Sequence, residues 1–231
     1  MPLRLDARSP DFAKRFDAFL GVKREASPDV EQAVRAIIAD VRARGDSALA
    51  DLTLTFDRLD LVQTPMRVSV AEIEAAAAQC DPQALTALKL ARDRIEAYHL
   101  RQKPADDRFT DALGVELGTR WTAIQAVGLY VPGGTAAYPS SVLMNAVPAK
   151  VAGCERLVMV VPSPDGKLSP LVLAAAQLAG VDEIYRIGGA QAVAALAYGT
   201  QASNRSRRLS APAMPMSPPP SGWCSARSAS T

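Results

Sequence analysis

Apolar residues recur at helical spacing through the first hundred positions, and then the period changes. Val30, Val34, Ile37, Ile38 and Val41 fall on one stripe, the i, i+3, i+4 repeat of an amphipathic helix. Ser27-Pro28-Asp29 supplies an N-cap with proline at the first helical position, and Gly45 stops the run. A short helix through Leu49, Leu52 and Phe56 follows. Ser69 with Glu72 predicts a capping box for a third helix. Asp81-Pro82 opens a fourth, with Leu85, Leu88 and Ile95 on one face, and Pro104 ends it. Glycine punctuation and the alternation of Val115 and Leu117 predict a short hairpin between Phe109 and Arg120.

From Ile124 the pattern alternates between short apolar runs and helical stretches. It predicts strands over 124–131, 156–161 and 183–186, and helices over 140–152, 169–179 and 190–198. Short βα periods with apolar strands imply a parallel sheet with helices on both faces. The fold class is therefore α/β: an N-terminal helical region, 1–122, then an incomplete Rossmann-like parallel βαβαβα unit, 123–200. The unit lacks the usual GxGxxG fingerprint. In its place stands GLYVPGGTAAYPSSVLMNAVPAK, from Gly128 to Lys150: a strand, a Pro-Gly-Gly turn and a helix opening at Tyr138-Pro139-Ser140-Ser141. Such a βα corner brings backbone and helix N-terminal amides close to an anion.

Composition narrows the chemistry. With 48% hydrophobic residues in 231 there is ample material for a packed core. The N-terminal segment lacks the apolar core of a secretory signal, and no stretch approaches the roughly 18 apolar residues of a membrane span, so a cytoplasmic location is expected, with no membrane partner. Cys80, Cys154 and Cys224 form no CxxC pair, which supports neither a disulfide framework nor a thiolate metal site. The single histidine, His99, leaves little room for zinc or imidazole catalysis within these residues. It borders an apolar helix face and reads as structural. Cys154, at a helix-to-strand turn, reads as a packed hydrophobe rather than a nucleophile.

The last 31 residues break every earlier pattern. They hold eight serines, five prolines, four arginines and no acid, and Leu209 is their only aliphatic residue larger than alanine. Such a composition predicts a disordered tail over 201–231. Without it, 22 basic residues face 24 acidic ones, and no nucleic-acid footprint remains.

At GLYVPGG, NAVPAK and RIGGAQA the sequence resembles the histidinol dehydrogenases, from near the N-terminus through Tyr198-Gly199-Thr200. The resemblance implies a zinc-dependent, homodimeric enzyme that oxidises L-histidinol to histidine through an aldehyde with two NAD molecules in succession, ending histidine biosynthesis. It assigns NAD contacts to Tyr130 in GLYVPGG and Gln191 in GGAQA. A third family contact, the asparagine of a Gly-Pro-Gly-Asn motif, falls where Met214 stands. By the same resemblance the zinc ligands, the Glu-His pair that moves protons and the substrate residues lie past residue 231, so no catalytic or metal residue is assigned here. From the residues alone, Tyr130 and Gln191 face one crevice at strand ends, or else Tyr130 packs its ring and Gln191 caps a helix. Gly133-Gly134 and Gly188-Gly189 fit cofactor approach as well as plain turns.

The tail itself reads as a shifted frame. The family's continuation, Val-Gly-Pro-Gly-Asn-Ala-Tyr-Val-Ala-Ala-Ala-Lys, written in GC-rich codons and begun one nucleotide late, yields Ser210 to Ser221 as they stand. The expectation is a truncated, inactive copy that leaves a sheet edge without its later strands.

Overall fold

The structure, a computed structural model, describes residues 4–24, 28–133 and 138–210. The Ser27 cap, Gly134 and the tail from 211 on lie outside the described residues. Residues up to Ile37 belong to one compact unit, and the larger unit begins at Ile38. The first unit contains α1 (Phe12–Arg24), which the sequence reading does not include, and the start of α2 (Pro28–Arg44). Phe12 and Phe16 stack along one side of α1 at 5.4 Å between ring centroids.

In the larger unit the expected helices appear in order. Helix α3 (Asp46–Asp57) follows Gly45, whose φ of 59° turns the chain out of α2. Helix α4 (Val70–Ala78) has the predicted capping box: Ser69 Oγ accepts from the Glu72 amide and Glu72 accepts from the Ser69 amide. Helix α5 (Pro82–Leu100) is capped by Asp81, which accepts from the Gln83 amide at 3.1 Å. The hairpin is formed by β1 (Asp107–Thr110) and β2 (Glu116–Thr119), antiparallel and exposed along its whole length.

The remaining elements are β3 (Ala126–Tyr130), α6 (Pro139–Ala152), β4 (Arg156–Val160), α7 (Pro170–Leu178), β5 (Glu183–Tyr185), α8 (Gly189–Tyr198) and β6 (Arg208–Ser210). The sheet order is β5-β4-β3-β6, all parallel, with Gly128 opposite Val158 and Met159 opposite Ile184. Alternation along the strands divides the core. Leu129, Leu157, Met159 and Ile184 join the apolar faces of α4 to α7, whereas Val158, Val160 and Tyr185 join Val41, Leu49 and the face of α8. Both faces are covered, as near-continuous apolar parallel strands require.

One difference from the sequence expectation concerns the tail. Residues 201–210, expected to lack structure, run along the sheet and add β6 to its edge. The segment is held chiefly through its backbone. Arg156 donates to the Asn204 carbonyl at 3.0 Å, the Tyr185 hydroxyl lies 2.8 Å from the Ala202 carbonyl, and the Ser206 and Arg207 amides donate to the carbonyls of Leu196 and Ala126. Composition says little about bonds that any residue can make. Leu209 supplies the side-chain anchor: it lies over Gly128, where an added Cβ would come within 2.9 Å of its methyl. At the opposite edge, residues 66–68 cover β5, through Val68 N–H to the Ile184 carbonyl and Arg186 N–H to the Met66 carbonyl, each 2.9 Å.

Replacing Leu209 by alanine removes that anchor from a half-buried site. It should cost about 1–2 kcal/mol and speed amide exchange in β3, measured by urea denaturation and hydrogen exchange; unchanged exchange in β3 would show that β6 does not hold the edge.

Candidate functional site

Three loops leave the carboxyl ends of β3, β4 and β5 and converge on Pro162. A Cβ at Gly188 would lie 2.5 Å from Pro162 Cγ, and one at Gly133 would collide with the Pro162 carbonyl oxygen. These two glycines are thus required by loop-to-loop packing. Gly189 differs, with φ at 63° and an exposed backbone.

The convergence brings the two sequence-assigned residues together. Tyr130 ends β3, and its hydroxyl accepts a hydrogen bond from the Gly189 amide at 3.1 Å. Its ring also packs against the cluster beneath α8, so packing and polar contact coexist. Burial pushes the phenol pKa up, and the nearby Asp57 charge adds to this, so the hydroxyl stays protonated. Gln191 occupies the first turn of α8 and is 2% exposed. Its amide oxygen lies 2.6 Å from where a Cβ at Gly189 would stand. Among the described residues no hydrogen bond to its side chain accompanies this burial, and a capping bond from Gln191 is not found.

Two polar residues escaped the sequence reading. Asp57, the last residue of α3, is 8% exposed and accepts from the Ser163 amide, just past β4, at 3.4 Å. Burial raises its pKa above the ordinary aspartate value. Its signal in the sequence is an acid at a helix C-terminus, where the helix dipole disfavours negative charge. Thr53, one turn earlier, is fully buried, and its hydroxyl has no partner among the described residues. The next residue, Arg58, is left-handed at φ 55° and pairs with Asp165 in the turn after β4, at 2.7 and 2.9 Å, which fixes the end of α3 against that turn.

The other candidates fall outside the crevice. His99 packs edge-on to Tyr98 at 5.2 Å and lines a groove with Ile95 and Met144. Cys154 is buried, directs its thiol to the Arg156 carbonyl at 3.4 Å, and has its pKa raised by burial. Among the described residues no three His, Cys, Asp or Glu side chains converge as a metal site, and no helix is long and apolar enough to cross a membrane. Met214 lies outside the described residues.

Comparison with known proteins adds an independent line. The family model described as histidinol dehydrogenase matches residues 22–213. Histidinol dehydrogenase of Rhodopseudomonas palustris is 72% identical over 200 residues, covering 87% of this chain and 46% of that protein. That of Brucella abortus is 66% identical over 201 residues, covering 87% and 47%. The crystal structure of histidinol dehydrogenase from Elizabethkingia anophelis superposes with a TM-score of 0.76 at 32% identity, over 80% of this chain and 42% of that one. The chain spans less than half the length of these relatives.

Two outcomes test the site's construction. Gly188→Ala should crowd Pro162, whose Cγ and Cβ would lie 2.5 and 2.6 Å from the added carbon, and cost about 1–3 kcal/mol. For Asp57 the folded-state pKa is raised, so its contribution to stability is full below the unfolded pKa and is lost as pH rises through the folded one. Asp57→Asn should therefore be more stable than the parent at pH about 7, with the difference vanishing below pH about 4. Urea denaturation at several pH values measures both.

Proposed function

The chain belongs to the histidinol dehydrogenase family, and on that premise we propose that its described residues carry a half-site for NAD without the metal chemistry needed to oxidise histidinol. The family activity is the NAD-linked, zinc-dependent conversion of L-histidinol to L-histidine through histidinaldehyde. Zinc does not fit the residues present, since no cluster of suitable donors exists among those described. No step is derived through it.

NAD fits better. Dinucleotides bind open parallel sheets in the crevice outside the strand carboxyl ends, where Tyr130, the exposed Gly189 backbone and Gln191 meet. The observation that carries the reading is the Tyr130 hydroxyl bonded to the exposed Gly189 amide, with the Gln191 amide oxygen beside the same glycine. The Gln191 side chain has no hydrogen-bond partner among the described residues, so its amide is free to pair with a polar ligand in the crevice. Tyr130, held neutral, offers a phenolic O–H as donor while its oxygen accepts from Gly189. The nicotinamide of NAD accepts hydride in the family reaction; what these residues contribute is binding and orientation.

Calorimetric titration of the purified chain with NAD should give saturable binding, weakened about 3- to 10-fold by Tyr130→Phe and at least as much by Gln191→Ala. The chain alone, given zinc, NAD and histidinol, should form no NADH. Binding indifferent to both substitutions would overturn the assigned contacts, and NADH formation would overturn the inactivity.

A further inference from the structure

The ribose-binding acid of a dinucleotide fold ordinarily stands at the carboxyl end of the second strand of its βαβ unit, where it accepts from the ribose hydroxyls and repels a 2′-phosphate. Here that strand is β4, and the residues leaving it are Val161, Pro162 and Ser163. None is acidic. The nearest acid in sequence, Asp165, is taken up by the bidentate pair with Arg58. The position is filled from elsewhere in the chain: Asp57 reaches it from the end of α3 and rests on the Ser163 amide.

The geometry suits a ligand better than a structural role. A carboxylate has about four acceptor sites, and the Ser163 amide uses one of them, at a long 3.4 Å. Asp57 stands against the dipole of its own helix, and burial works against its charge. The Tyr130 hydroxyl lies close enough to feel that charge, which places the carboxylate beside the crevice of the NAD reading. Thr53, one turn back on α3, has a buried hydroxyl without a partner among the described residues. The acceptor sites of Asp57 that Ser163 does not use are available to a ligand hydroxyl.

We propose that Asp57 is a specificity-determining residue of this crevice, accepting hydroxyls of a dinucleotide ribose and turning away a 2′-phosphate, so that the site takes NAD in preference to NADP. This rests on the reading of the crevice as an NAD site.

Titration of the full chain with NAD and with NADP, before and after Asp57→Asn, tests it. The parent should prefer NAD. The substitution should weaken NAD several-fold and strengthen NADP, narrowing the preference by about tenfold, because it removes a like-charge clash. The variant is expected to fold, since it relieves a buried charge; Asp57→Ser, which shortens the acceptor, should narrow the preference as well. A ratio unchanged in both variants, with NAD still bound, overturns the role of Asp57 and leaves the NAD reading standing. A parent chain that binds neither dinucleotide overturns the NAD reading and this inference with it.

Discussion

Pro162 is wedged between Gly188, where even one added carbon would meet its ring at 2.5 Å, and Gly133, where a Cβ would collide with its carbonyl oxygen. The loops after all three main strands are therefore locked to one another at the carboxyl edge of the sheet. This contact sets what the crevice can contain. It brings the Gly189 amide within 3.1 Å of the Tyr130 hydroxyl and folds Gln191 over Gly189. The Ser163 amide, one residue past Pro162, meets Asp57. Close-packed interiors transmit small displacements rather than absorb them, so every polar group of the site inherits its position from this junction.

The distribution of buried polar groups follows the same edge. The two apolar clusters on either face of the sheet are built almost wholly of aliphatic residues. Asp57, Thr53, Ser163, Arg186 and Gln191, which together make up most of the buried polar set, lie at or near the strand carboxyl ends. Arg186 is paired at 2.6 Å with Glu72, the capping residue of α4, and so ties that helix to the end of β5. Its Nε, like the Thr53 hydroxyl, is buried without a partner among the described residues. Unpaired buried groups are costly. Two others, Asp46 Oδ1 and Ser206 Oγ, lie at the amino-end side of the sheet, so such groups are found at both ends of the strands and not in the two apolar clusters.

The segment 201–210 illustrates a different balance. Its composition is that of a chain unable to form a core, and it forms none of its own. It attaches to a core built by other residues, through carbonyls and amides at Ala202, Asn204, Ser206 and Arg207, with Leu209 as the single aliphatic anchor. A parallel sheet edge offers unpaired backbone groups to whatever chain lies beside it, and backbone groups do not depend on side-chain identity. Composition therefore missed the strand that residues 208–210 form.

What the sequence determined by itself was local or periodic. The capping box at Ser69 and Glu72, the stop at Gly45, the apolar strand over 156–161 and the βα order were all legible, because each rests on neighbours within a turn or two. Tyr130 and Gln191 could be named from the motifs that carry them. Tertiary structure alone decided that the Gly189 amide bonds the Tyr130 hydroxyl, that Gly133 and Gly188 answer to Pro162, and that Asp57 stands at the end of β4. That last contact joins residues 106 positions apart. No spacing rule along one element encodes it, since it follows from the packing of α3 against a sheet whose register is fixed elsewhere.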